Sequence, residues 1–598
     1  MKLPLKVSWP RFVVALAIGL AVWALRVAVV GDLGTSIPFW DQWDREGLVV
    51  YEPWLEGHLT WHAIFEPHLE HRIVWTHLWN LGLLTLCGQW DPMVQMVAQA
   101  LFPALVAGCC VWGLLECRSD WVWRTVVIGG AVVTFGFPFA DANILWGFQS
   151  QFELLVGLSF AVCAGASLAW KNSTWVWLTL LAGLAAPLAM GAGALAGPII
   201  LTTTALVMVA DRSIARRSVE MITVGVACSI WGLFLRSGST VMAYARAKSI
   251  SMFLLVWMRT LAWPNYRIPW FAALSCLPVL LLVIQVVRGK KPRRSHELFL
   301  IGVTVWAIGC AAGGAWTRGG FDRFPPSRYF EFLSPLSWVN FLALVLIVEG
   351  AWKGASRRWR IAAGGLAIIW IGSTVAGDVN ILRYFFRARR PAIQELAGQQ
   401  FDAVNRVLSG APISVMVQAG LHPSAINLER IMGSRVLAPI LPPELQRPPA
   451  NLTQGNVIAA NLTGGPHGLH WLSGEFDVGM PAMIMFVRGE PAGTKFALLD
   501  RVSGTKESFK PSGRHIGDWA EWLVRSGRGL RQLSVKTDVA TADITFVVPR
   551  PVSALGYWIR RASAQSIFWI GGAVICLAVA LVAAPALVDE EAANDASH

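Results

Sequence analysis

The chain has few charged residues for its length. Of its 598 residues only 15% are charged, whereas 55% are hydrophobic, and a soluble globular chain carries roughly 25% charged residues. Uncharged stretches such as 93–115, 125–140, 298–315 and 566–588 are long enough to cross a hydrocarbon core of about 30 Å. The shortage of charge excludes an ordinary soluble protein and predicts a polytopic α-helical membrane protein in a lipid bilayer.

Paired cysteines are also lacking. All nine cysteines lie in or beside hydrophobic segments, none falls between residues 380 and 562, and no CxxC pair occurs. The long polar segment near the C-terminus therefore has no disulfide framework, and redox chemistry has no support.

Basic residues cluster in short runs, "DRSIARR" (211–217), "RGKKPRR" (288–294) and "KGASRRWR" (353–360). Such runs are typical of cytoplasmic loops. A nucleic-acid surface is the weaker interpretation of the net charge of +13, and we predict no nucleic-acid partner. The N-terminus has a basic flank and an apolar core without a small-residue cleavage site, which predicts a retained signal anchor.

Counting outward from the basic loops predicts about 12 transmembrane helices. We place them near 12–30, 93–115, 125–140, 153–170, 174–189, 193–210, 218–235, 268–287, 298–316, 330–350, 361–378 and 565–587. Only one crossing fits between residues 72 and 118, so we expect 71–87 to be an amphipathic helix at the outer surface, with His71, Thr76 and Asn80 available to a polar face. A thirteenth span with a misplaced neighbour is the alternative.

This topology divides the chain into three parts. Residues 1–378 form a transmembrane module with a large first external loop at 31–92, and 564–598 form the final transmembrane helix and a cytoplasmic tail. Residues 379–563 contain runs of alternating polarity separated by Gly and Pro, which predict an extracytoplasmic β-rich domain, with a sandwich as one candidate architecture.

The first external loop concentrates carboxylates and imidazoles. It contains "FWDQWDREGLV" (39–49) and "FEPHLEHRIVW" (65–75), and five of the eleven histidines fall between His58 and His77. Loop acids are often only solvated, but this density favours a divalent cation site or a base for an acceptor hydroxyl. We therefore predict Asp41 and Asp44 as catalytic residues.

A zinc site is an alternative interpretation of the same loop. His58 and His62 have the i, i+4 spacing that places two imidazoles on one helix face, and Glu66 continues that register. However, "HLTWH" lacks the Glu that follows the first His in the zincin signature. Hydrogen-bonded surface histidines are the more common occurrence.

Two further external pieces carry candidate binding residues. In "DANILWGFQSQFE" (141–153), Trp146 and Gln149 belong either to an interfacial turn or to a contact with a sugar or prenyl chain. In "TRGGFDRFPPSRYFEF" (317–332), three arginines lie within eleven residues, at positions 318, 323 and 328. They either pair with Asp322 and Glu331 or bind phosphate, whose oxygens match the guanidinium fork.

These features resemble the GT-C superfamily of integral-membrane glycosyltransferases. The resemblance lies in the first span, the large first external loop with acids near its start, the interfacial helix, the many further spans and the C-terminal extracytoplasmic domain. More narrowly, "DQWD", "HLEHR", "WGFQ" and "SRY" are similar to segments of bacterial membrane proteins related to that superfamily. The resemblance implies a GT-C-like fold in the bacterial cytoplasmic (inner) membrane.

The resemblance also implies a reaction. GT-C enzymes of this kind transfer a sugar from a polyprenyl-phosphate donor, here to a cell-envelope glycan, lipid or protein at the outer face of the membrane. An aspartate early in the first external loop acts as base or ligand of a divalent cation (Mg or Mn), a role that maps onto Asp41 first and Asp44 second. These two aspartates are three residues apart, which departs from the usual adjacent or DxD pair.

Several other residues would bind the substrate under this interpretation. Basic residues of later external loops hold the donor phosphate in the family, which maps onto Arg318 and Arg328. The full set that we expect to line the substrate site is Glu70, His71, Arg72, Trp146, Gln149, Arg318, Arg328 and Tyr329.

Two other classes of function stay open. One is a polysaccharide or lipid flippase or exporter, and the other is a non-catalytic envelope assembly protein. Transporters place charged groups within the bilayer, often on broken helices and in repeated halves. Here the predicted spans are nearly free of charge and the acids lie outside them, which favours the enzyme over the transporter.

Overall fold

The protein is described from a computed structural model. It describes residues 8–118, 120–211, 216–237, 243–288, 295–321, 323–354, 356–447, 459–462, 469–489, 493–537 and 544–584. Most of the basic runs 211–217 and 288–294 lies outside these residues, as do Asp322 and the end of the tail that was predicted to be cytoplasmic.

Helices make up most of the described chain. In order they are α1 (Trp9–Leu33), α2 (Glu52–Leu55), α3 (Trp61–Phe65), α4 (Val74–Cys87), α5 (Pro92–Gln99), α6 (Leu101–Cys117), α7 (Trp121–Gly136), α8 (Asp141–Ile144), α9 (Ser150–Leu168), α10 (Ser173–Ala185), α11 (Ala196–Asp211), α12 (Arg216–Phe234), α13 (Ile250–Leu261), α14 (Phe271–Arg288), α15 (Ser295–Arg318), α16 (Phe330–Gly354), α17 (Arg357–Tyr384), α18 (Arg390–Leu408), α19 (Ser414–Gln418), α20 (Ala425–Gly433), α21 (Ala554–Ser563) and α22 (Ser566–Ala583). A π-helix covers Gln42–Tyr51.

Eleven helical segments of the described chain are long and apolar enough to cross a membrane, by length and composition. They coincide in position with eleven of the twelve predicted spans. The remaining one, near 174–189, falls on the shorter apolar segment Ser173–Leu188. A mostly helical protein with many membrane-length helices is therefore confirmed, whereas the count of twelve stays a prediction.

Local sequence explains where several helices begin. The side chain of Asp120 accepts a hydrogen bond from the backbone N–H of Trp123, and Asn172 caps α10 in the same way. These oxygens satisfy backbone donors that have no partner within the first turn. Small residues then allow close helix packing: a Cβ added to Gly19 of α1 would lie 3.0 Å from the carbonyl oxygen of Ala104 in α6.

The helix α4 has 14 residues and is about 21 Å long, which is too short for a hydrocarbon core of about 30 Å. We predicted that Thr76 and Asn80 of this helix face an aqueous surface, but they do not. Thr76 and Asn80 are buried against other parts of the protein, where Thr76 accepts a hydrogen bond from Ser150 and Asn80 donates one to Glu46. The polar face of α4 is therefore an internal packing surface.

One helical segment continues well beyond its predicted end. Residues Arg357–Leu408 form a helical run of 52 residues, about 78 Å long, with a π-helical turn at Phe385–Arg389. Only part of that length fits within a bilayer. The region that follows the predicted boundary at residue 379 thus begins with helices, and its strands start at residue 459.

The C-terminal β-rich region is confirmed, and its strands form two antiparallel sheets. The strands are β1 (Ala459–Leu462), β2 (Leu469–Val478), β3 (Ala482–Gly489), β4 (Thr494–Asp500), β5 (Lys506–Ser508), β6 (Lys510–Ile516), β7 (Trp519–Arg525), β8 (Gly529–Thr537) and β9 (Ile544–Val552). The sheet orders are β1-β9-β3-β7-β6 and β2-β8-β4-β5. Met483, Met485 and Phe546 of the first sheet pack between the sheets against Phe496 and Leu533 of the second.

The five-stranded sheet is buried on both faces. Along β3, Met483 and Met485 face the second sheet, while Ile484 and Phe486 belong to a separate core with α18, the first loop and α4. The ring of Phe401 in α18 lies 4.5 Å from that of Phe486, centroid to centroid. This second core joins the sandwich directly to the segment that carries Asp41.

Candidate functional site

A cavity of about 500 Å³ brings together residues from five separate parts of the chain. Nine of the ten predicted site residues line it, namely Asp41, Glu70, His71, Arg72, Trp146, Gln149, Arg318, Arg328 and Tyr329. The tenth, Asp44, does not.

The segment "HLEHR" forms a tight turn and not the start of a helix. The backbone N–H of His68 donates to the carbonyl of His71 at 2.7 Å, and the reverse bond measures 3.0 Å. Leu69 and Glu70 therefore form the tip of a two-residue turn, and α4 begins only at Val74. We expected Glu70, His71 and Arg72 to line the site from a helix at 71–87; they line it from the turn that precedes α4.

Asp41 and Asp44 lie in different surroundings. Asp41 precedes the π-helix and lines the cavity, where its Oδ2 lies 3.3 Å from Nε2 of His68. The carboxylate of Asp44 lies 3.6 Å from Nε2 of His422, outside the cavity. Burial opposes protonation of His422, but Asp44 and the Ser424 carbonyl outweigh it and raise its pKa. The predicted pair of catalytic aspartates is therefore separated.

Two residues beside the acids have strained backbones. Trp40 has φ of 46° and Leu69 has φ of 54°, and within the described ranges they are the only residues other than glycine with positive φ. For a bulky side chain this conformation costs roughly 1–3 kcal/mol, and such residues cluster at functional sites. Trp40 directly precedes Asp41, and Leu69 directly precedes Glu70. Each of the two cavity carboxylates therefore follows a residue with a strained backbone.

Burial controls the pKa of the histidine at the end of this turn. Burial lowers the pKa of His71 to about 4, with a smaller opposing effect of Glu70. His71 is therefore neutral at pH 7. Glu70 instead pairs with Arg318, whose Nη2 lies 3.1 Å from Oε2 of Glu70. The expected partners of Arg318 had been a phosphate or a nearby acid of its own segment; its carboxylate comes from the first loop.

Arg328 lies in a turn held by buried groups. Its own backbone carbonyl accepts a 2.9 Å hydrogen bond from Asn143, and its guanidinium lies 5.8 Å from the ring centroid of Tyr329. Glu331, the predicted alternative partner of these arginines, binds Arg26 of α1 at 2.6 Å instead. Arg26 also binds Glu153 of α9 at 2.5 Å.

This buried triad corrects the expectation that the spans are nearly free of charge. Arg26, Glu153 and Glu331 lie in three different membrane-length segments, with side-chain exposures of 2%, 0% and 3%. Charged groups within membrane-spanning segments are expected to be paired and to face the protein interior, as they are here. The triad connects α1, α9 and α16, and its Glu331 follows closely after Arg328 in the chain.

Sequence reasoning missed two arginines of the cavity. Arg236 and Arg246 line it from the segment that follows α12. Both lie between the predicted spans 218–235 and 268–287, which is a connection on the side predicted to be external. Positive charge there, the same signal that selected Arg318, would have identified them. Arg72 is tied to this segment, since its Nε donates to the carbonyl of Leu235 at 3.1 Å.

The rest of the cavity wall contains both polar and apolar residues. The polar ones include Trp146 and the buried amides of Gln149 and Gln151. The apolar ones come from the membrane-length helices, among them Phe152, Leu155, Leu195, Cys310 and Phe332. The arrangement suits a ligand with a polar head and an apolar chain.

Glu46 organises the loop behind Asp41. Its Oε2 accepts hydrogen bonds from Trp90 at 3.1 Å and from Gln95 at 3.2 Å, and its Oε1 accepts one from Asn80. Gln42, the first residue of the π-helix, donates to the same carboxylate. Desolvation raises the pKa of Glu46 to about 7 despite these donors. In the sequence Glu46 is one of eight acids between residues 32 and 71, and its pattern alone does not distinguish it from the others.

The zinc alternative loses its geometric basis. The helix α3 begins at Trp61, so His58 and His62 do not share a helix face, and His58 lies 3.5 Å from Glu56. Among the described residues no three His, Cys, Asp or Glu side chains form a group that could hold a metal ion. His58, His62 and Glu66 therefore do not form the predicted zinc site among the described residues, and a divalent cation (Mg or Mn) stays a prediction.

Comparison with models of known protein families, with curated proteins and with solved structures gave no match to this chain.

Proposed function

We propose that this protein is a membrane glycosyltransferase that moves a sugar from a polyprenyl-phosphate donor to an acceptor hydroxyl of an envelope glycan, lipid or protein. The observation that carries the proposal is the composition of one cavity. It combines a carboxylate, arginines and an apolar wall from membrane-length helices. A base, a phosphate site and a site for a lipid chain are the three parts that such a reaction requires.

The reaction assigns each part a role. The acceptor hydroxyl attacks the anomeric carbon of the donor sugar, and Asp41 takes the proton from that hydroxyl. The bond between the anomeric carbon and the phosphate oxygen breaks, and its electron pair leaves with the phosphate. Arg328 and Arg318 stabilise the charge that develops on the leaving phosphate.

In the proposed reaction the prenyl chain remains in lipid while the sugar reaches water, so the reacting carbon lies near the membrane surface. We place the cavity and the sandwich at the outer face of the bacterial cytoplasmic membrane, because the basic runs favour the cytoplasmic side for the opposite loops.

The proposal is tested by substituting Asp41 with Asn, which removes the charge and changes the shape little. We expect sugar transfer in membranes, at matched protein levels, to fall on the order of 100-fold or more. Asp44→Asn is the matched control, because Asp44 lies in the same loop but outside the cavity; it should retain most of the activity.

Full activity in Asp41→Asn would contradict the assignment of the base. Polyprenyl-phosphate sugar that crosses the membrane without any transfer would contradict the enzyme itself and favour a flippase.

A further inference from the structure

We infer that the cavity recognises a ligand with two separate anionic groups, one bound by Arg328 and the other by Arg72 and Arg236. The inference rests on the proposed function for the identity of the ligand as a prenyl-linked donor. The two-anion site itself follows from the charges and pairings of the cavity wall.

The wall carries more positive than negative charge. Five arginines line it, at positions 72, 236, 246, 318 and 328, and its carboxylates are those of Asp41 and Glu70. Arg318 pairs with Glu70, and Arg246 has a partner of its own. The other three arginines against the one carboxylate of Asp41 leave two positive charges. A phosphodiester between a prenyl chain and a sugar has one negative charge, which leaves one positive charge for a second anion.

The uncompensated arginines can be identified from their contacts. Within the described part of the chain, Arg318 pairs with Glu70 at 3.1 Å, and Asp41 lies 3.3 Å from Nε2 of His68. Among the described residues, Arg72, Arg236 and Arg328 form no ion pair with a carboxylate of the wall. The hydrogen bonds that Arg72 donates within the described chain go to the backbone carbonyls of Leu235 and Phe65.

These three arginines stand on two separate elements. Arg72 is bonded to the carbonyl of Leu235, the residue before Arg236, which places both arginines at one segment of the wall. Arg328 lies in the turn before α16, which Asn143 holds in place. Like charges around a partly enclosed cavity repel one another, and a bound anion at each segment relieves that repulsion.

Two sources can supply the second anion. It is either the second phosphate of a diphosphate bridge or the carboxylate of an acidic sugar. Both present the planar or tetrahedral oxygens that a guanidinium binds with two parallel hydrogen bonds.

The test measures binding of three probes to the full chain in phosphatidylcholine nanodiscs. They are farnesyl phosphoglucose, farnesyl phosphoglucuronate and farnesyl diphosphoglucose. We expect one of the two dianionic probes to bind at least tenfold more tightly than farnesyl phosphoglucose, and its identity names the source of the second anion. Equal affinities for all three within twofold would overturn the inference.

Variants separate the two subsites. Arg236→Gln should reduce the affinity for the preferred dianionic probe to that for farnesyl phosphoglucose. It should change the affinity for farnesyl phosphoglucose itself by less than twofold. Arg328→Gln should weaken the binding of all three probes. Arg267→Gln, an exposed arginine outside the cavity, is the control for loss of one positive charge. Unchanged binding in Arg236→Gln would also overturn the inference.

Binding of soluble anions tests this inference independently of the proposed function. If no prenyl probe binds but pyrophosphate binds at least tenfold more tightly than phosphate, and Arg236→Gln removes that difference, the proposed donor is wrong and the two-anion site stands. If pyrophosphate shows no such preference and no dianionic prenyl probe is preferred, the two-anion site is wrong, whatever the transfer assay shows.

Discussion

At the scale of single residues, surroundings decide what otherwise similar carboxylates do. Asp41 lines the cavity beside His68, Asp44 faces His422, and Glu46 is enclosed by amide and indole donors. All three lie within six positions of one another. Their side chains point in different directions at the start of the π-helix. Asp41 therefore lines a cavity, Asp44 makes a half-exposed contact, and Glu46 lies in a buried hydrogen-bond network.

The raised pKa of Glu46 leads to a pH-dependent stability. Because burial raises the pKa to about 7, the folded protein binds a proton there that the unfolded chain releases near pH 4.5. Stability should therefore fall as pH rises from about 4.5 through 7 and remain lower above that range. Glu46→Gln lacks this titration, so its melting temperature in detergent should rise relative to the natural chain between pH 5 and pH 8.

The substitution keeps the shape and most hydrogen bonds. The side-chain oxygen of the new glutamine can accept hydrogen bonds from Trp90 and Gln95. Its side-chain NH₂ can donate to Oδ1 of Asn80 if the Asn80 amide is flipped; among the described residues this buried oxygen has no hydrogen-bond partner. Parallel stability profiles for the two proteins from pH 5 to pH 8 would contradict the assignment of this pH dependence to Glu46.

At the scale of elements, α4 is the segment whose sequence is most ambiguous. Its residues are apolar enough to suggest a span, but the helix is short, and one side packs against protein while Thr85 and Leu86 on the other are exposed. We expect α4 not to cross the membrane. In a background without native cysteines, Thr85→Cys in α4 should react with an impermeant maleimide in right-side-out vesicles, as should Val502→Cys in the sandwich.

The labelling experiment needs a control position on the opposite side of the membrane. Arg358→Cys, in the basic run at 353–360, should react only in inside-out vesicles. Thr85 and Val502 are both exposed in the fold, so a difference between them reports on the membrane and not on burial. If Thr85→Cys behaved like Arg358→Cys, α4 would be a span.

At the scale of the whole molecule, one arginine joins three parts of the fold. Arg560 of α21 is fully buried and lies 2.5 Å from Asp91 at the start of α5, 3.7 Å from Glu444 and 3.8 Å from Glu521 of β7. Burial opposes its charge, but the three carboxylates outweigh it and raise its pKa. The group is therefore a charged junction between the first loop, the sandwich and α21, the helix that precedes the final one.

Removing this junction should destabilise the whole protein. Arg560→Met leaves the buried carboxylates of Asp91 and Glu444 without their ion-pair partner, while Glu521 keeps Arg514 at 3.9 Å. Removing one partner of a buried pair typically costs about 3–5 kcal/mol. We expect a lower melting temperature in detergent and faster proteolysis of the link between membrane helices and sandwich. Arg528→Ala, which removes an exposed arginine from the sandwich, is the control. Equal melting temperatures for the two variants would show that the sandwich is held by its apolar core alone.

The sequence by itself determined the elements. Charge-free runs must satisfy their backbone groups internally in lipid, so they form helices wherever they occur, and alternating runs such as those at 529–537 and 544–552 form strands. It also indicated most of the cavity residues, because acids and arginines near span ends are unusual. These properties depend on consecutive residues and are local.

Only the tertiary structure decided which of those residues meet. Arg318 pairs with Glu70 across 248 positions of the chain, Arg236 and Arg246 join the cavity, and Asp44 is excluded from it. The polar side of α4 faces protein, and Arg26 takes the carboxylate expected for the outer arginines. Each outcome depends on how helices far apart in sequence pack, since packing decides which charges lose their water and must find a partner.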